Sequence, residues 1–235
     1  MSLPEITSRE EWLVARRELL AKEKAHTRQR DALNSERRRL PMVAVDQDYV
    51  FEGPDGPVRL FDMFDGHRQL ILQHVMFGPS WDAACPGCTA SLDEMSPALF
   101  AHLRSRDTQF VAVSRAPLAK LRDYAKSHGW EFAWYSSFGN DFNHDYQATA
   151  TPAEYNYSAG QAEPGAEPDE LPGVSCFLRD GDRVFHTYST YARGTDQLGS
   201  AYSLLDLTAF GRSEDWEEPK GRAARLHGAD PTFAD

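Results

Sequence analysis

Residues 69–88, QLILQHVMFGPSWDAACPGC, join an apolar run to two cysteines that are separated by two residues. The run Gln69–Phe77 predicts a buried strand, and helical spacing begins at the cysteines. Residues three apart at a helix start are close enough for a disulfide, and the helix N-terminus lowers the pKa of the leading thiol. The spacing therefore predicts a redox-active pair, although two such cysteines are equally half of a zinc site.

Composition limits the class of protein. The chain has 235 residues, enough for one well-buried domain with additions. Residues 1–40 hold 10 basic and 7 acidic side chains and the remainder 15 and 29, so the charge balances are +3 and −14. The acidic remainder argues against nucleic acid as a partner. No apolar stretch reaches the roughly 18 residues of a membrane span, and the N-terminus lacks the apolar core of a secretory signal.

These features lead us to expect a cytoplasmic protein with neither nucleic acid nor membrane as a partner. In the cytoplasm an adjacent cysteine pair is more often catalytic or metal-binding than a structural disulfide.

Residues 1–40 are predicted to form a helical extension. Ser8 and Glu11 have the spacing of a capping box, neither Gly nor Pro occurs from there to about Arg38, and Pro41 ends the helix. One narrow apolar stripe is expected to pack on this domain or on a second subunit, which makes homo-oligomerisation through this helix an expectation. The alternative is a solvated helix of mixed charge. The stripe consists of Trp12, Ala15, Leu19, Leu20 and Leu33.

Residues 41–210 are predicted to form the main domain, and 211–235 an acidic C-terminal tail. The predicted order is an α/β sandwich with a mixed sheet, in which the dithiol follows the carboxyl end of a strand, where open α/β sheets place their chemistry. The first elements are a hairpin around 53–57, a strand at 69–77 and a helix from Cys88 that Pro97 bends or splits. A strand at 109–113, a helix from Pro117 closed by Gly129 and an extended segment at 130–137 follow. The last elements are a surface loop or insertion at 151–173, a hairpin around Asp180-Gly181 and a helix at about 196–207.

Three segments resemble a family of bacterial thioredoxin-like proteins, predicted dithiol-disulfide oxidoreductases that are catalogued as a domain of unknown function. The element order resembles the peroxiredoxin-like branch of the thioredoxin fold. The resemblance implies a thioredoxin-like three-layer sandwich with a mixed central sheet, an N-terminal β-hairpin and a long N-terminal helix. The segments are His74–Pro79 leading to Cys85–Cys88, Trp134–Ser137 with Asp141–Asn143 and Asp145, and Gly173–Ser175 through His186–Gly194 to Leu205–Leu207.

Three local features depart from ordinary thioredoxins. Trp81 lies four residues before the first cysteine instead of beside it, and the residues between the cysteines are Pro-Gly instead of Gly-Pro. Where thioredoxins place a proline that faces the dithiol, this chain has Gly173-Val174-Ser175. The resemblance therefore does not extend to a thioredoxin-type partner surface.

The candidate catalytic residues are Cys85 as the nucleophile and Cys88 as the thiol that resolves the mixed disulfide. Idle thiols and a zinc site are the alternatives, but zinc takes four ligands, and only Cys176 and scattered histidines would complete the set. We expect no metal and interpret Cys176 as a small buried apolar residue. The candidate supporting residues are Trp81 and Asp82 before the dithiol, Ser175, His186 as a proton shuttle, and Arg193 as a group that holds an anion or a thiolate.

The leading functional hypothesis is a thiol-disulfide oxidoreductase that needs no cofactor and acts on a protein or small-molecule disulfide or thiol. A peroxide reductase is a second hypothesis, weakened because peroxiredoxins carry Thr or Ser three residues before the attacking cysteine and this chain has Asp82. The third hypothesis is a redox-inactive thioredoxin-like scaffold for assembly or partner binding.

Overall fold

The computed structural model describes residues 4–149 and 170–209, with the side chains of 201 and 202 left out. Of the loop or insertion predicted at 151–173, only residues 170–173 lie in this range. The predicted tail at 211–235 lies outside the described residues.

The described chain forms one eight-stranded mixed sheet with the strand order β1-β8-β7-β4-β5-β6-β2-β3. The strands are β1 Val43–Ala44, β2 Val50–Gly53, β3 Gly56–Arg59, β4 Gln69–His74, β5 Thr108–Ser114, β6 Ala133–Ser136, β7 Gly173–Asp180 and β8 Arg183–Tyr191. The helices are α1 Arg9–Arg37, α2 Pro86–Asp93, α3 Pro97–Arg104, α4 Leu118–His128, α5 Phe142–Asp145 and α6 Ser200–Leu205, and Asp62–Phe64 and Ala192–Leu198 form 3₁₀ turns.

The strand directions give the sheet its thioredoxin-like character. Strands β4, β5 and β6 run parallel, β7 is antiparallel to β4, and β8 is antiparallel to β7. The predicted N-terminal hairpin is β2–β3, and it joins the sheet where Glu52 pairs with Ser136 of β6. The predicted fold class, a thioredoxin-like α/β sandwich with a mixed central sheet, is confirmed.

Two apolar clusters cover the two faces of the sheet, because side chains alternate along each strand. The dithiol face packs against α2, α3 and α4 through residues that include Val75, Phe77, Ala84, Cys88, Leu92, Phe100, Ala112 and Leu121. The opposite face packs against the first 3₁₀ turn and α5 through residues that include Leu70, Leu72, Val111, Val113, Met63, Phe64, Phe142 and Phe177. Both cysteines of the dithiol therefore belong to one defined face.

Several local predictions are confirmed. Pro97 splits the helical stretch after Cys88 into α2 and α3. Gly129 closes α4 in the left-handed conformation, with φ 69°, and the hairpin at Asp180-Gly181 is β7–β8. Proline suits a helix start because its ring fixes φ near the helical value. Glycine suits a helix end because it adopts the left-handed conformation without a steric cost.

Other predictions differ from the structure. Strand β4 ends at His74 instead of Phe77. Val75 still donates to the Val113 carbonyl of β5, and the Met76 carbonyl accepts from the Cys85 N–H. The helix expected at about 196–207 is a 3₁₀ turn followed by the short α6. Residues 141–145, expected as turn and cap residues, include the single-turn helix α5, and the two-residue strand β1 was not predicted.

Helix α1 has the predicted capping box, in which Ser8 accepts from the Glu11 N–H and the Glu11 side chain accepts from the Ser8 N–H. None of its residues is buried. The apolar stripe predicted to pack is exposed, with Trp12, Leu19 and Leu33 at 46%, 51% and 55%. The stripe is therefore not covered by the sheet domain.

Within the described parts of the chain, no helix combines the length and the apolar character that a membrane span requires.

Gly173 lies where β4, β7 and β8 meet, and a substitution there tests how tightly these strands pack. A Cβ at Gly173 would lie 2.5 Å from Cδ1 of the buried Tyr191 and 3.2 Å from the Thr190 carbonyl oxygen. We expect Gly173→Ala to lower the free energy of unfolding by about 1–3 kcal/mol, because the ring is enclosed and cannot move away. Urea denaturation of the purified variant measures this change.

The matched control is Gly139→Ala, because a Cβ at the exposed Gly139 meets no atom within 4 Å. An equal loss of stability in both variants would contradict the packing argument.

Candidate active site

The dithiol is held against the end of β4 by the backbone of one residue, Met76. Cys85 is the N-cap of α2, and its N–H donates to the Met76 carbonyl at 2.8 Å. The Met76 N–H in turn donates to the sulfur of Cys88. The helix start is therefore anchored to the sheet through both peptide groups of Met76.

Cys85 is placed to be a thiolate. The thiol of Cys88 donates a hydrogen bond to its sulfur and lowers the pKa of Cys85 to about 6, from 9.0, and the N–H groups of Cys88 and Gly87 add to this effect while burial opposes it. Donors at a helix N-terminus stabilise negative charge in this way. With a pKa of about 6, about nine-tenths of the Cys85 side chain is ionised at pH 7.

Cys88 has the opposite character. It is 5% exposed, whereas Cys85 is half-buried. Its hydrogen bond to Cys85 and its burial raise the pKa of Cys88 well above the usual value. Both thiols are free in this structure. The pair therefore consists of one accessible thiolate and one enclosed, protonated thiol that stabilises it.

The loop before the dithiol is fixed by Gly78 and Lys120. The indole of Trp81 lies so close to Gly78 that a Cβ there would be 2.9 Å from the indole Nε1. Lys120 Nζ of α4 donates to the carbonyl oxygens of Pro79 and Trp81 at 3.0 and 2.7 Å. Trp81 is half-buried and packs against the dithiol-side cluster together with Cys85, whereas Asp82 is exposed.

Thr89 and Tyr124 were not singled out from the sequence. Thr89 donates to the Cys85 carbonyl from its N–H at 3.0 Å and from its Oγ1 at 3.1 Å. The Tyr124 hydroxyl lies 2.9 Å from Thr89 Oγ1 and joins α2 to α4. The spacing of four between Cys85 and Thr89 was the available signal, since it places both residues on one helix face.

Two of the predicted supporting residues meet on the other face of the sheet. Ser175 Oγ lies 2.8 Å from His74 Nε2 and 2.7 Å from Ser189 Oγ, which lies 2.7 Å from His186 Nε2. Burial lowers the pKa of His74 to about 3 and also lowers the pKa of His186. The structure thus joins Ser175 and His186 to His74, in a cluster that packs beside Phe142 and away from the dithiol face.

His74 itself was predicted to be a core residue with satisfied hydrogen bonds. The ring is buried, and Nε2 has its partner, but Nδ1 has no hydrogen-bond partner among the described residues. The ring instead stacks near Phe142, Tyr146 and Tyr191.

Arg193 and Cys176 lie apart from this cluster. Arg193 follows β8 at the same end of the sheet as the dithiol, with its Nε 3.5 Å from Asp196 Oδ2. Cys176 lies in β7 and is half-buried, and burial raises the pKa of its thiol to about 11. At neutral pH it is therefore a thiol, but it is half-buried and not buried as predicted.

The zinc alternative requires further ligands close to the dithiol. In the two described ranges, no group of three or more His, Cys, Asp or Glu side chains is arranged to hold a metal ion. The described residues therefore do not supply the donor set that a zinc site at Cys85 and Cys88 would need.

The Cys88 hydrogen bond makes a testable contribution to the ionisation of Cys85. Alkylation of Cys85 by iodoacetamide should increase with pH through about 6 and level off near pH 8, because only the thiolate reacts. Cys88→Ala removes the donor and should raise the pKa of Cys85 by about 1 unit or more. Mass spectrometry of the alkylated peptides measures both.

Cys88→Ser is the matched variant, because its hydroxyl keeps a donor at the same position. A pKa near 8.5 in the parent protein, or an equal shift in both variants, would contradict this account of the thiolate.

Buried His74 should make stability depend on pH. The folded protein keeps His74 neutral down to about pH 3, whereas the unfolded chain protonates it near pH 6.5, so between these values the unfolded chain binds more protons. The free energy of unfolding should therefore fall as the pH is lowered from 6.5 towards 3, with a slope of up to about 1.4 kcal/mol per pH unit. Urea denaturation at several pH values measures the slope.

His74→Gln should make that slope smaller, while the exposed His128→Gln serves as the control. His186 acts in the same direction, so the slope should be reduced and not abolished. An unchanged slope in His74→Gln would show that another group is responsible.

Comparisons with known proteins show the family of this chain. No curated protein matches the chain. Among solved structures, it is similar to a mutant of peroxiredoxin Q from Xanthomonas campestris, with 14% identity, a TM-score of 0.47, and 65% of this chain and 87% of the other covered. It is also similar to peroxiredoxin 6 of Arenicola marina, with 12% identity, a TM-score of 0.48 and 70% of each chain covered.

A third similar structure is the peroxidoxin BcpB from Mycobacterium tuberculosis, with 16% identity, a TM-score of 0.43, and 63% of this chain and 84% of the other covered. The fold and the chemistry of this chain are argued from its own residues. The family model described as "Bacterial protein of unknown function (DUF899)" matches residues 1–229, and the chain belongs to this family.

Proposed function

We propose that this protein is a thiol-disulfide oxidoreductase that acts through Cys85 and Cys88 without an organic cofactor. The observation that carries the proposal is the asymmetry of the pair. Cys85 has a pKa of about 6 and is half-buried, while Cys88 is enclosed and keeps its proton. A nucleophile and a resolving thiol require these two different states.

In the first step the Cys85 thiolate attacks one sulfur of a substrate disulfide. A bond forms between Cys85 and that sulfur, the substrate S–S bond breaks, and the other substrate sulfur leaves as a thiolate that takes a proton from water. Cys85 is then neutral, so the negative charge that raised the pKa of Cys88 has gone.

In the second step Cys88 loses its proton to water and attacks the sulfur of Cys85. The mixed disulfide breaks, and the second substrate sulfur leaves as a thiolate and is protonated. The Met76 N–H already points at the sulfur of Cys88 and favours its thiolate form. Two substrate thiols and one Cys85–Cys88 disulfide result, and an external dithiol of unspecified identity would restore the reduced pair.

The substrate class is a disulfide carried by a protein or by a small molecule. Trp81 packs against the same apolar cluster as Cys85 and offers an apolar surface, whereas the exposed Asp82 adds a negative charge to the same loop. Both residues are proposed to shape the approach to Cys85, while Ser175 and His186 lie on the other face of the sheet and are proposed to serve its packing instead.

The proposal is tested by equilibrating the reduced protein with a series of glutathione redox buffers and trapping its free thiols. We expect a reversible two-electron couple in the parent protein, because formation of the Cys85–Cys88 disulfide consumes two thiols. Cys85→Ser should abolish the couple, and Cys88→Ser should accumulate a mixed disulfide with glutathione. The matched control Cys176→Ser should behave like the parent, because Cys176 is protonated at neutral pH.

Two outcomes would overturn the proposal. A dithiol that stays reduced over the whole buffer series, with Cys85→Ser unchanged, would favour a redox-inactive scaffold. Peroxide consumption by Cys85 that is much faster than disulfide exchange, as measured by stopped flow, would favour a peroxide reductase.

A further inference from the structure

Helix α1 presents an apolar surface that the described residues 4–149 and 170–209 leave open. Its 29 residues correspond to a length of about 43 Å, and none of them is buried. Trp12, Leu19, His26 and Leu33 are spaced seven residues apart and therefore share one side of the helix. In proteins most of the stability of a helix comes from tertiary packing of such a face, so a partner on this face would stabilise α1.

The surface continues beyond the helix to the edge of the sheet. Helix α1 meets the sheet domain at its last turn, where the Arg37 guanidinium lies over the Tyr188 ring at 4.7 Å. Leu40, Met42 and Val43 follow directly and are 52%, 48% and 64% exposed. Val43 belongs to β1, the edge strand of the sheet. The apolar residues of α1 and of this edge are thus consecutive along the chain.

The net charges of the two parts of the chain indicate which kind of partner would cover the apolar face of α1. Residues 1–40 carry a net charge of +3 and the remainder of the chain −14. A second α1 helix would bring like charges together, whereas the main domain of a second copy offers the opposite charge. Complementary charge favours association and like charge opposes it.

We propose that the chain forms a dimer in which α1 of each copy lies across the acidic main domain of the other. Each copy gives one helix and receives one, so the contact closes on itself with two-fold symmetry. A helix about 43 Å long, together with the exposed edge residues, is large enough for a standard interface of about 800 Å² per partner. This proposal does not depend on the chemistry of the dithiol.

The test is the mass of the full chain in solution, measured by light scattering after size exclusion at several protein concentrations. The parent should have twice the chain mass of 26.5 kDa. The double variant Leu19→Gln/Leu33→Gln should raise the dissociation constant about tenfold or more, because both side chains would be enclosed in the dimer. Glutamine is a good helix former, so α1 itself should persist, as circular dichroism can verify.

Leu99→Gln is the matched control, since Leu99 of α3 is exposed to a similar degree, 38%, and belongs neither to α1 nor to the exposed edge at Leu40–Val43. It should leave the dissociation constant unchanged. A parent protein that is monomeric at every concentration up to about 100 μM, or a dimer that both variants weaken equally, would overturn the proposal.

The salt dependence distinguishes the two ways in which α1 could be covered. Contact between α1 and an acidic domain should weaken as sodium chloride increases from about 0.05 to about 0.5 M, because salt screens attraction between opposite charges. Arg28→Glu/Arg30→Glu should weaken the dimer in the same direction. Strengthening by salt, or by the charge reversal, would indicate two α1 helices packed on each other and would overturn the proposed arrangement.

Discussion

The candidate site depends on the pairing of β4 with a strand on each side. Strand β4 pairs with β5 from Gln69 to His74 and with β7 over the same residues. The residues after His74 are therefore delivered to one position, and the Met76 peptide groups bind Cys85 and Cys88 there. A change that loosened β4 would move the helix start and both sulfurs together.

The electrostatics of the pair follow from this anchoring. A hydrogen bond between two thiols stabilises only one negative charge, so lowering the pKa of Cys85 necessarily raises the pKa of Cys88. Burial decides which sulfur is charged, because desolvation costs the more exposed one less. Cys85 is the more exposed of the two, and it also receives the N–H groups at the start of α2. The hydrogen-bond donors at the helix start and the greater exposure to solvent therefore both favour Cys85 as the thiolate.

Local signals predicted much of the fold, and distant contacts explain what they missed. Pro97, Gly129 and Asp180-Gly181 act through their own backbone torsions, so their effects are visible in the sequence. Strand β1 has two residues and exists because Val43 and Ala44 meet Phe185 and His186 of β8. No periodicity can be detected in so short a segment, and its partner is distant in the sequence.

The sequence by itself predicted the dithiol, the helix that starts at it and the succession of the main strands along the chain, because spacing and alternation act over a few residues. Only the tertiary structure decided which predicted site residues meet. Ser175 and His186 join His74 on the face opposite the dithiol, since alternation along β4 and β7 assigns each side chain to a face only when the register is known. The ionisation of Cys85 also depends on the tertiary structure, because the hydrogen bond between the two sulfurs and the deeper burial of Cys88 give the two thiols different pKa values.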